Sequence, residues 1–186
     1  IAIVPVTQNV GCLSSHSIQE IGGDLVFLSP DGIRSVAGTS RIGDVELGSV
    51  SRQIQSIISA LANSINAFTV TSGVLRSKSQ YRLFYSTASG STVSTKGIIG
   101  TLTANGFEWA ETLGIQATGF ASGFAATGIE KLYHGDNEGY VYNHNVGNTF
   151  IASGTAFNIN AIYQTPNYDF GDIGTRKTLQ YAKISI

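Results

Sequence analysis

Methionine is absent from this chain of 186 residues, and cysteine occurs only once, at Cys12. One cysteine excludes an intrachain disulfide, and the sequence has no CxxC or Cys/His spacing that would predict a metal site. We expect Cys12 to be a small buried apolar residue. Long apolar runs are also missing, since none approaches the length of about 18 residues that a membrane-spanning helix needs. Insertion into a membrane is therefore not expected.

Charge is scarce, because charged residues make up only 12% of the chain and the formal net charge is −1. This share is about half of that in an average soluble domain. The 11 lysines and arginines are scattered, which argues against a basic face for nonspecific binding of nucleic acid. The sequence is instead rich in glycine, with 22 copies, and in residues with uncharged hydroxyl or amide side chains. A surface of this kind is typical of subunits that are buried against neighbours in a large assembly.

The pattern of the chain is mainly β. Three pairs of apolar runs are each joined by a polar turn rich in Gly, Asp, Asn or Ser, which predicts three β-hairpins. Their spacing of roughly 50 residues fits a four-stranded propeller blade. We therefore predict antiparallel β-propeller-like blades that form a partial propeller, with antiparallel hairpins in a sandwich as the alternative. The predicted hairpins cover 25–36 with a turn at 29–32, 81–100 with a turn at 86–96, and 129–142 with a turn at 135–139.

Shorter signals fill the space between the hairpins. Strands are expected at 67–74, at 107–109 after a turn at 104–106, and at 156–163, whereas 143–154 is expected to be irregular. The lone Trp109 is expected to fill a wedge between blades. We interpret residues 1–186 as a single β-rich region and as a segment of a longer chain, because the chain starts at Ile1 and ends within a strand-like pattern.

One amphipathic helix is predicted at about 50–66, between the first and second hairpins, with serines as candidates for its N-terminal cap. Its outer face carries amides in place of charges, notably Gln53, Gln55 and Asn63. These three are candidate contacts with a neighbouring subunit. The alternative is that the apolar stripe simply packs on a sheet of the same chain. The stripe consists of Ile54, Ile57, Ile58, Leu61, Ala62 and Ile65.

A second candidate interface is the loop at 167–177, which forms a charged island in a chain short of charge. It contains Asp169, Asp172, Arg176 and Lys177. Complementary charges on a partner would set the register of docking more than they would add affinity. The alternative is an intrachain ion pair between Asp172 and Arg176, worth at most about 1 kcal/mol at a surface.

No catalytic motif is present, since the sequence lacks GxSxG, a P-loop and HExxH. The three histidines, His16, His134 and His144, lie far apart in sequence, and we expect each on a turn or at the surface. The acidic turn at 136–138 lacks the ligand spacing and the closing glutamate of a calcium loop. The sequence therefore predicts no enzymatic activity, no cofactor and no metal.

Short motifs spread over most of the chain carry a family resemblance. They are Gly11-Cys12, 17–18, 25–33, the helix start at 51–54, Leu132-Tyr133-His134-Gly135-Asp136 with 139–142, Thr165-Pro166, Asp169-Phe170-Gly171 and Arg176-Lys177. Together they resemble the β-propeller structural proteins of tailed-bacteriophage tails. That group includes nozzle or tail tubular proteins and proteins that stabilise packaged DNA.

The resemblance implies a structural virion protein located in the tail, in a nozzle or hub ring that forms part of the DNA-ejection conduit. Its implied partners are further copies of itself around the tail axis, as a hexamer, together with portal or adaptor proteins and tail fibre or spike proteins. DNA would pass through transiently. The chain is short for a full propeller of that kind.

A carbohydrate-binding or glycan-processing β-propeller at a cell surface is the alternative function. The turn at 29–32 is similar to the Asp-box turn of sialidase-type propellers, but the aromatic continuation of that box is missing.

Overall fold

The computed structural model describes residues 10–38, 49–89, 92–152, 154–162 and 164. Within these ranges the chain is mainly β and forms four antiparallel sheets, here called A to D in chain order. Sheet A contains β1 (Gln19–Ile21), β2 (Asp24–Ser29) and β3 (Gly32–Ser35). Sheet B contains β4 (Thr69–Leu75), β5 (Gln80–Ser89), β6 (Thr92–Thr103) and β7 (Gly106–Leu113). Sheet C contains β8 (Gly119–Phe124), β9 (Glu130–Gly135) and β10 (Val141–Asn143), and sheet D contains β11 (Thr149–Ala152) and β12 (Thr155–Asn158).

All three predicted hairpins are present, and each lies in a different sheet. They are β2–β3, β5–β6 and β9–β10. The turn between β6 and β7 at 104–106 is confirmed as well, with Thr103 paired to Gly106. Sheets A, B and C are each simple meanders in which sequential strands are neighbours. Among the described residues these sheets do not close into a propeller or a barrel.

Two predicted loops are wrong. The stretch at 86–96 is strand for most of its length, because the ladder between β5 and β6 continues to the pair Ser89–Thr92. Its serines and threonines resemble a turn in composition, but Thr and Val have high strand propensity when a partner strand is available. The second case is the stretch at 143–154, which is predicted to be irregular but contains β11, paired with β12. The strand predicted at 156–163 is also shorter than expected, since β12 ends at Asn158.

The predicted helix is confirmed in position but not as one continuous helix. A 3₁₀ turn at Arg52–Ile54 leads into the α-helix α1 (Gln55–Asn63), and a further 3₁₀ turn follows at Ile65–Ala67. No side chain caps the N-terminus of α1. The apolar stripe packs within the chain, since Ile54, Ile58 and Leu61 belong to the hydrophobic core.

The start of this helix is attached to the turn of the β2–β3 hairpin. The buried Ser51 hydroxyl accepts a hydrogen bond from the backbone N–H of Ile33 at 2.9 Å, so this serine serves sheet A and not the helix as a cap. Gln55 donates to the backbone carbonyl of Asp31 at 2.9 Å. The Asp31 carboxylate in turn pairs with the buried guanidinium of Arg34, and hydrogen bonding to that guanidinium lowers the pKa of Asp31 despite opposing desolvation.

Strand β5 contacts a different layer of the fold on each of its two faces. Tyr81, Leu83 and Tyr85 face the core shared with sheet A and α1. The alternate residues Arg82 and Phe84 face sheet C, where Arg82 contacts His144 and Phe84 contacts Phe120. Because successive side chains of a strand point to opposite faces, sheet B lies between sheet A and sheet C. The three sheets are therefore stacked in the order in which they occur in the chain.

Close contact between sheets B and C depends on a glycine. A Cβ atom at Gly73 in β4 would lie 2.4 Å from two ring atoms of Phe120 in β8. The Phe120 ring also packs on Phe84, with 5.1 Å between ring centroids. Any side chain at Gly73 would therefore push the two sheets apart or force Phe120 out of its rotamer.

We predict that Gly73→Ala destabilises the protein by about 1–3 kcal/mol, because overpacking a dense contact forces strain into its neighbours. The measurement is the free energy of unfolding in urea. Gly123→Ala in β8 is the matched control, since a Cβ atom there meets nothing within 4 Å. Equal stability of the two variants would contradict the close contact between the sheets.

Candidate functional site

The predicted interface residues fall in two groups. Asp169, Asp172, Arg176 and Lys177 lie outside the described residues, so the docking role of the loop at 167–177 stays a prediction. On the helix, Gln53 accepts a hydrogen bond from the Trp109 backbone N–H at 3.3 Å, and Gln55 binds the Asp31 carbonyl. Asn63 is exposed. Two of the three amides are thus used within the chain.

Trp109 packs against other residues of the chain, and its expected role as a wedge between blades stays a prediction. Its ring lies between Phe107 and Tyr81, at centroid distances of 5.3 and 6.4 Å. Its indole N–H donates to the Val50 carbonyl at 2.8 Å. The contact joins sheet B to the segment that precedes α1.

A cluster of polar side chains that the sequence analysis missed lies between sheets B and C. We call Arg82, His134 and His144 the histidine cluster. His134 lies on β9 and His144 follows β10, and their ring nitrogens Nδ1 and Nε2 are 2.6 Å apart. His144 Nδ1 is 3.1 Å from Arg82 Nη1 on β5. A continuous hydrogen-bond chain therefore crosses the interface between the two sheets.

The expected turn or surface position is confirmed for His16, which is exposed in a 3₁₀ turn, and for His144, which lies in the turn after β10. It is wrong for His134, which lies on strand β9. His134 is buried and His144 is half-buried. The sequence did contain a signal for burial of His134. This residue is two positions after the apolar Leu132 on β9, so the two side chains lie on the same face of the strand, which is the inward face. The contact between the two histidines also depends on how β9 pairs with β10, which places His134 opposite Tyr142.

The tautomers of His144 and His134 are determined by the hydrogen bond that Arg82 donates to His144. A guanidinium only donates hydrogen bonds, so His144 must accept at Nδ1 and carry its proton on Nε2. That Nε2–H then donates to Nδ1 of His134, which leaves the proton of His134 on its own Nε2. Both imidazoles are neutral in this arrangement.

Burial and charge favour the same neutral state. Desolvation, the neighbouring His134 and the Arg82 cation together lower the pKa of His144 to about 3. Desolvation also lowers the pKa of His134, although the charge of Asp136 acts in the opposite direction. Arg82 itself is 6% exposed, and its Nη2 donates to Gln80 at 2.7 Å, but no ion pair with a carboxylate is found for it among the described residues.

The acidic turn beside this cluster is used for structure. Asp136 Oδ1 accepts hydrogen bonds from the backbone N–H groups of Glu138 and Tyr140, both at 2.9 Å. Its Oδ2 accepts from the Tyr142 hydroxyl at 3.0 Å. Both oxygens are therefore occupied by the turn that connects β9 to β10, as expected of an aspartate that nucleates a turn.

Within the described ranges, no three His, Cys, Asp or Glu side chains are grouped so as to hold a metal ion. Cys12 is exposed, which contradicts the expected buried position. Its thiol donates to the carbonyl of Ser14 at 3.0 Å in the loop before β1. A lone apolar residue is buried only if its segment is covered, and this loop lies at the edge of sheet A.

Comparison of the chain with known protein families, with curated proteins and with solved structures finds no match. Over the described residues, none of the helices has the length and hydropathy needed to span a bilayer.

We predict that ¹⁵N NMR of the folded protein at pH 7 shows both clustered histidines neutral and protonated on Nε2. Arg82→Leu removes the donor that holds His144 in this tautomer, so a mixture of the two neutral forms is expected at His144. His16, which is exposed and lies outside the cluster, is the internal reference for both spectra. A charged imidazole, or an Nδ1–H tautomer, at His144 in the unmodified protein would disprove the hydrogen-bond chain.

Proposed function

We propose that this chain is a non-enzymatic structural subunit of a bacteriophage tail, and that its C-terminal sheets carry the contact surface. The observation that carries the proposal is a concentration of exposed large apolar side chains after residue 112. Isolated exposed apolar residues are ordinary, whereas contiguous patches of them mark interaction sites, and such residues are concentrated in this part of the chain. The group comprises Leu113, Phe124, Ile129, Tyr133, Tyr140, Val141, Val146, Ile151, Phe157, Ile159 and Ile162.

The later half of this part has no charge, since no Asp, Glu, Lys or Arg occurs from residue 139 to 168. Sheet D lies in this stretch and consists of a single hairpin, whose strand β12 is exposed at all four positions. A lone two-stranded hairpin is marginally stable in water. Uncharged strands also lack the lysines that usually prevent pairing between chains. Sheet D therefore fits a contact with another subunit.

The stacking of the sheets supports the finer proposal of a partial propeller. Neighbouring blades of a propeller are antiparallel meanders that follow one another along the chain around a central axis. Sheets A, B and C are meanders, and they stack face to face in chain order. Under this proposal they are blade-like units, and α1 is inserted between the first and the second.

The tail assignment itself rests on the resemblance of the short motifs. It places the chain in the virion, in a nozzle or hub ring of six copies, with portal or adaptor and fibre or spike proteins as neighbours and with DNA passing through. The scarcity of charge and the exposed apolar group support a role in assembly.

Quantitative mass spectrometry of purified phage particles tests the assignment. We expect the parent protein in a fixed number of copies per particle, six if the ring is a hexamer. Its presence in infected-cell lysate but not in particles would overturn the assignment. A second density gradient distinguishes a true component from a co-purifying contaminant. The copy number per particle of a component stays constant through the second gradient, whereas that of a contaminant falls.

The contact surface is tested separately with two charge variants. We predict that Ile159→Lys combined with Ile162→Lys abolishes self-association and incorporation into particles, because both side chains are largely exposed, at 62% and 83%, and a desolvated lysine in a contact is costly. Asn160→Lys adds charge to the same segment without removing an apolar side chain, and is the control. Sedimentation velocity and particle composition are the measurements, and equal behaviour of the two proteins would contradict the surface.

One observation favours the second candidate, a carbohydrate-binding module. A groove of about 490 Å³ lies between α1 and the ends of β5, β6 and β7, and its lining includes Phe68, Tyr85, Lys96 and Glu111. Aromatic and charged side chains in one groove are suited to a saccharide. Specific micromolar binding on a glycan array, lost in Glu111→Gln, would favour this function over the structural one.

A further inference from the structure

We propose that the histidine cluster is an acid-sensitive contact, which holds sheet C on sheet B while both histidines are neutral and releases it when either one is protonated. The released state would expose the apolar faces that carry Phe84 and Phe120. This inference rests on the geometry of the interface and is independent of the tail assignment.

The hydrogen-bond chain has no place for an additional proton. Protonation of His144 at Nδ1 would direct an N–H at the Arg82 guanidinium, which also only donates. Protonation of His134 at Nδ1 would direct an N–H at the Nε2–H of His144, 2.6 Å away. In either case one hydrogen bond becomes a repulsive contact between two donors, and the new positive charge lies beside the buried Arg82.

Few other groups can compensate for that charge. On sheet C, Asp136 favours protonation of His134, but its Oδ2 is bound by the Tyr142 hydroxyl. Glu130 lies at the opposite end of β9 and accepts hydrogen bonds from the backbone of Arg76 and Ser77. Lys131 is three positions before His134 on β9, and so its side chain points to the opposite, outer face of sheet C. Strand β8 has no titratable side chain.

Sheet B adds no carboxylate beside the cluster either. On its face toward sheet C, β4 has no titratable side chain and β5 contributes only the cation Arg82. Glu108 on β7 shares this face, at the register of Thr101 and Gln80, but it is exposed and lies on the outer strand. Protonation of a histidine therefore adds positive charge where the described residues provide only one counter-charge, Asp136, both of whose oxygens already accept hydrogen bonds.

The contacts between sheets B and C differ in kind from those between sheets A and B. Sheet C contacts sheet B through the Phe84–Phe120 pair, the close approach at Gly73, the hydrogen bonds from the Arg76 and Ser77 backbone to Glu130, and the histidine cluster. Sheet A, in contrast, shares with sheet B and α1 a continuous apolar core. Acid is therefore expected to separate sheet C before the remaining layers unfold.

The direction of the pH effect follows from the protons bound in each state. A solvated histidine has a pKa near 6.5, whereas His144 in the closed interface has a pKa of about 3. Between these values the open state binds one more proton than the closed state, so the equilibrium constant for opening rises by up to about tenfold for each unit of decrease in pH. Above about pH 7 the effect disappears, because both states are neutral.

Hydrogen exchange resolved by segment is the test on the unmodified protein, between pH 7.5 and pH 4. After correction for the intrinsic pH dependence of exchange, we expect protection of the β8–β10 amides to fall by at least tenfold between pH 6.5 and pH 4.5. Fluorescence of Trp109, the only tryptophan, reports on the opposite face of sheet B and should stay unchanged over this range. Constant protection of β8–β10 down to pH 4, or simultaneous loss of the Trp109 signal, would overturn the proposal.

His144→Gln separates protonation of the cluster from general effects of acid. Glutamine can accept from Arg82 and donate to His134 but does not titrate, so its β8–β10 amides should remain protected at least tenfold better than those of the unmodified protein at pH 4.5. His16→Gln removes an exposed histidine and is the matched control, expected to open like the unmodified protein. Equal acid sensitivity of His144→Gln and the unmodified protein would refute the role of His144.

A direct titration provides a test that needs no variant. NMR of the His144 ring in the unmodified protein should show no protonation of the closed state near pH 6.5. If His144 titrates there while the β8–β10 amides keep their protection, the contact is not acid-sensitive and the proposal fails.

Discussion

Strand β5 is buried on both of its faces, and the positions of the other layers depend on this constraint. Every side chain from Tyr81 to Ser86 is buried. A strand of this kind needs a cover on each side, and here the covers are sheet A with α1 on one face and sheet C on the other. The alternation of side chains along β5 thus determines which residues each layer meets.

The two covers are attached by different chemistry. Sheet A joins sheet B through the apolar core and through satisfied buried hydrogen bonds, such as that from the Tyr81 hydroxyl to the Ser17 carbonyl at 2.8 Å. Burial accordingly raises the pKa of Tyr81 far above its usual value. Sheet C meets sheet B across a buried arginine whose Nε has no hydrogen-bond partner in the described part of the chain. A half-satisfied polar network is less favourable than an apolar core, so we expect sheet C to be the layer more easily separated.

The division of the chain into a tightly packed N-terminal part and an exposed apolar C-terminal part is consistent with a subunit whose assembly completes its own burial. Leu28, Ile33, Ile58 and Leu83 are fully buried within the chain, whereas Val141, Ile159 and Ile162 are largely exposed. Surface of this kind is costly in water and is stabilised by contact with other protein. An acid-sensitive attachment of sheet C would make the availability of that surface depend on pH.

The sequence by itself determined the mainly β class, the three hairpins and the single strongly periodic helical segment, because turn chemistry and side-chain periodicity are local properties. It also excluded a disulfide through the lone Cys12. Tertiary structure decided that 86–96 is paired strand, that Cys12 is exposed, and that His134 and His144 form one buried cluster with Arg82. Those outcomes depend on which strands become neighbours and on which faces are covered, and no local pattern encodes a contact between residues 62 positions apart, as between Arg82 and His144.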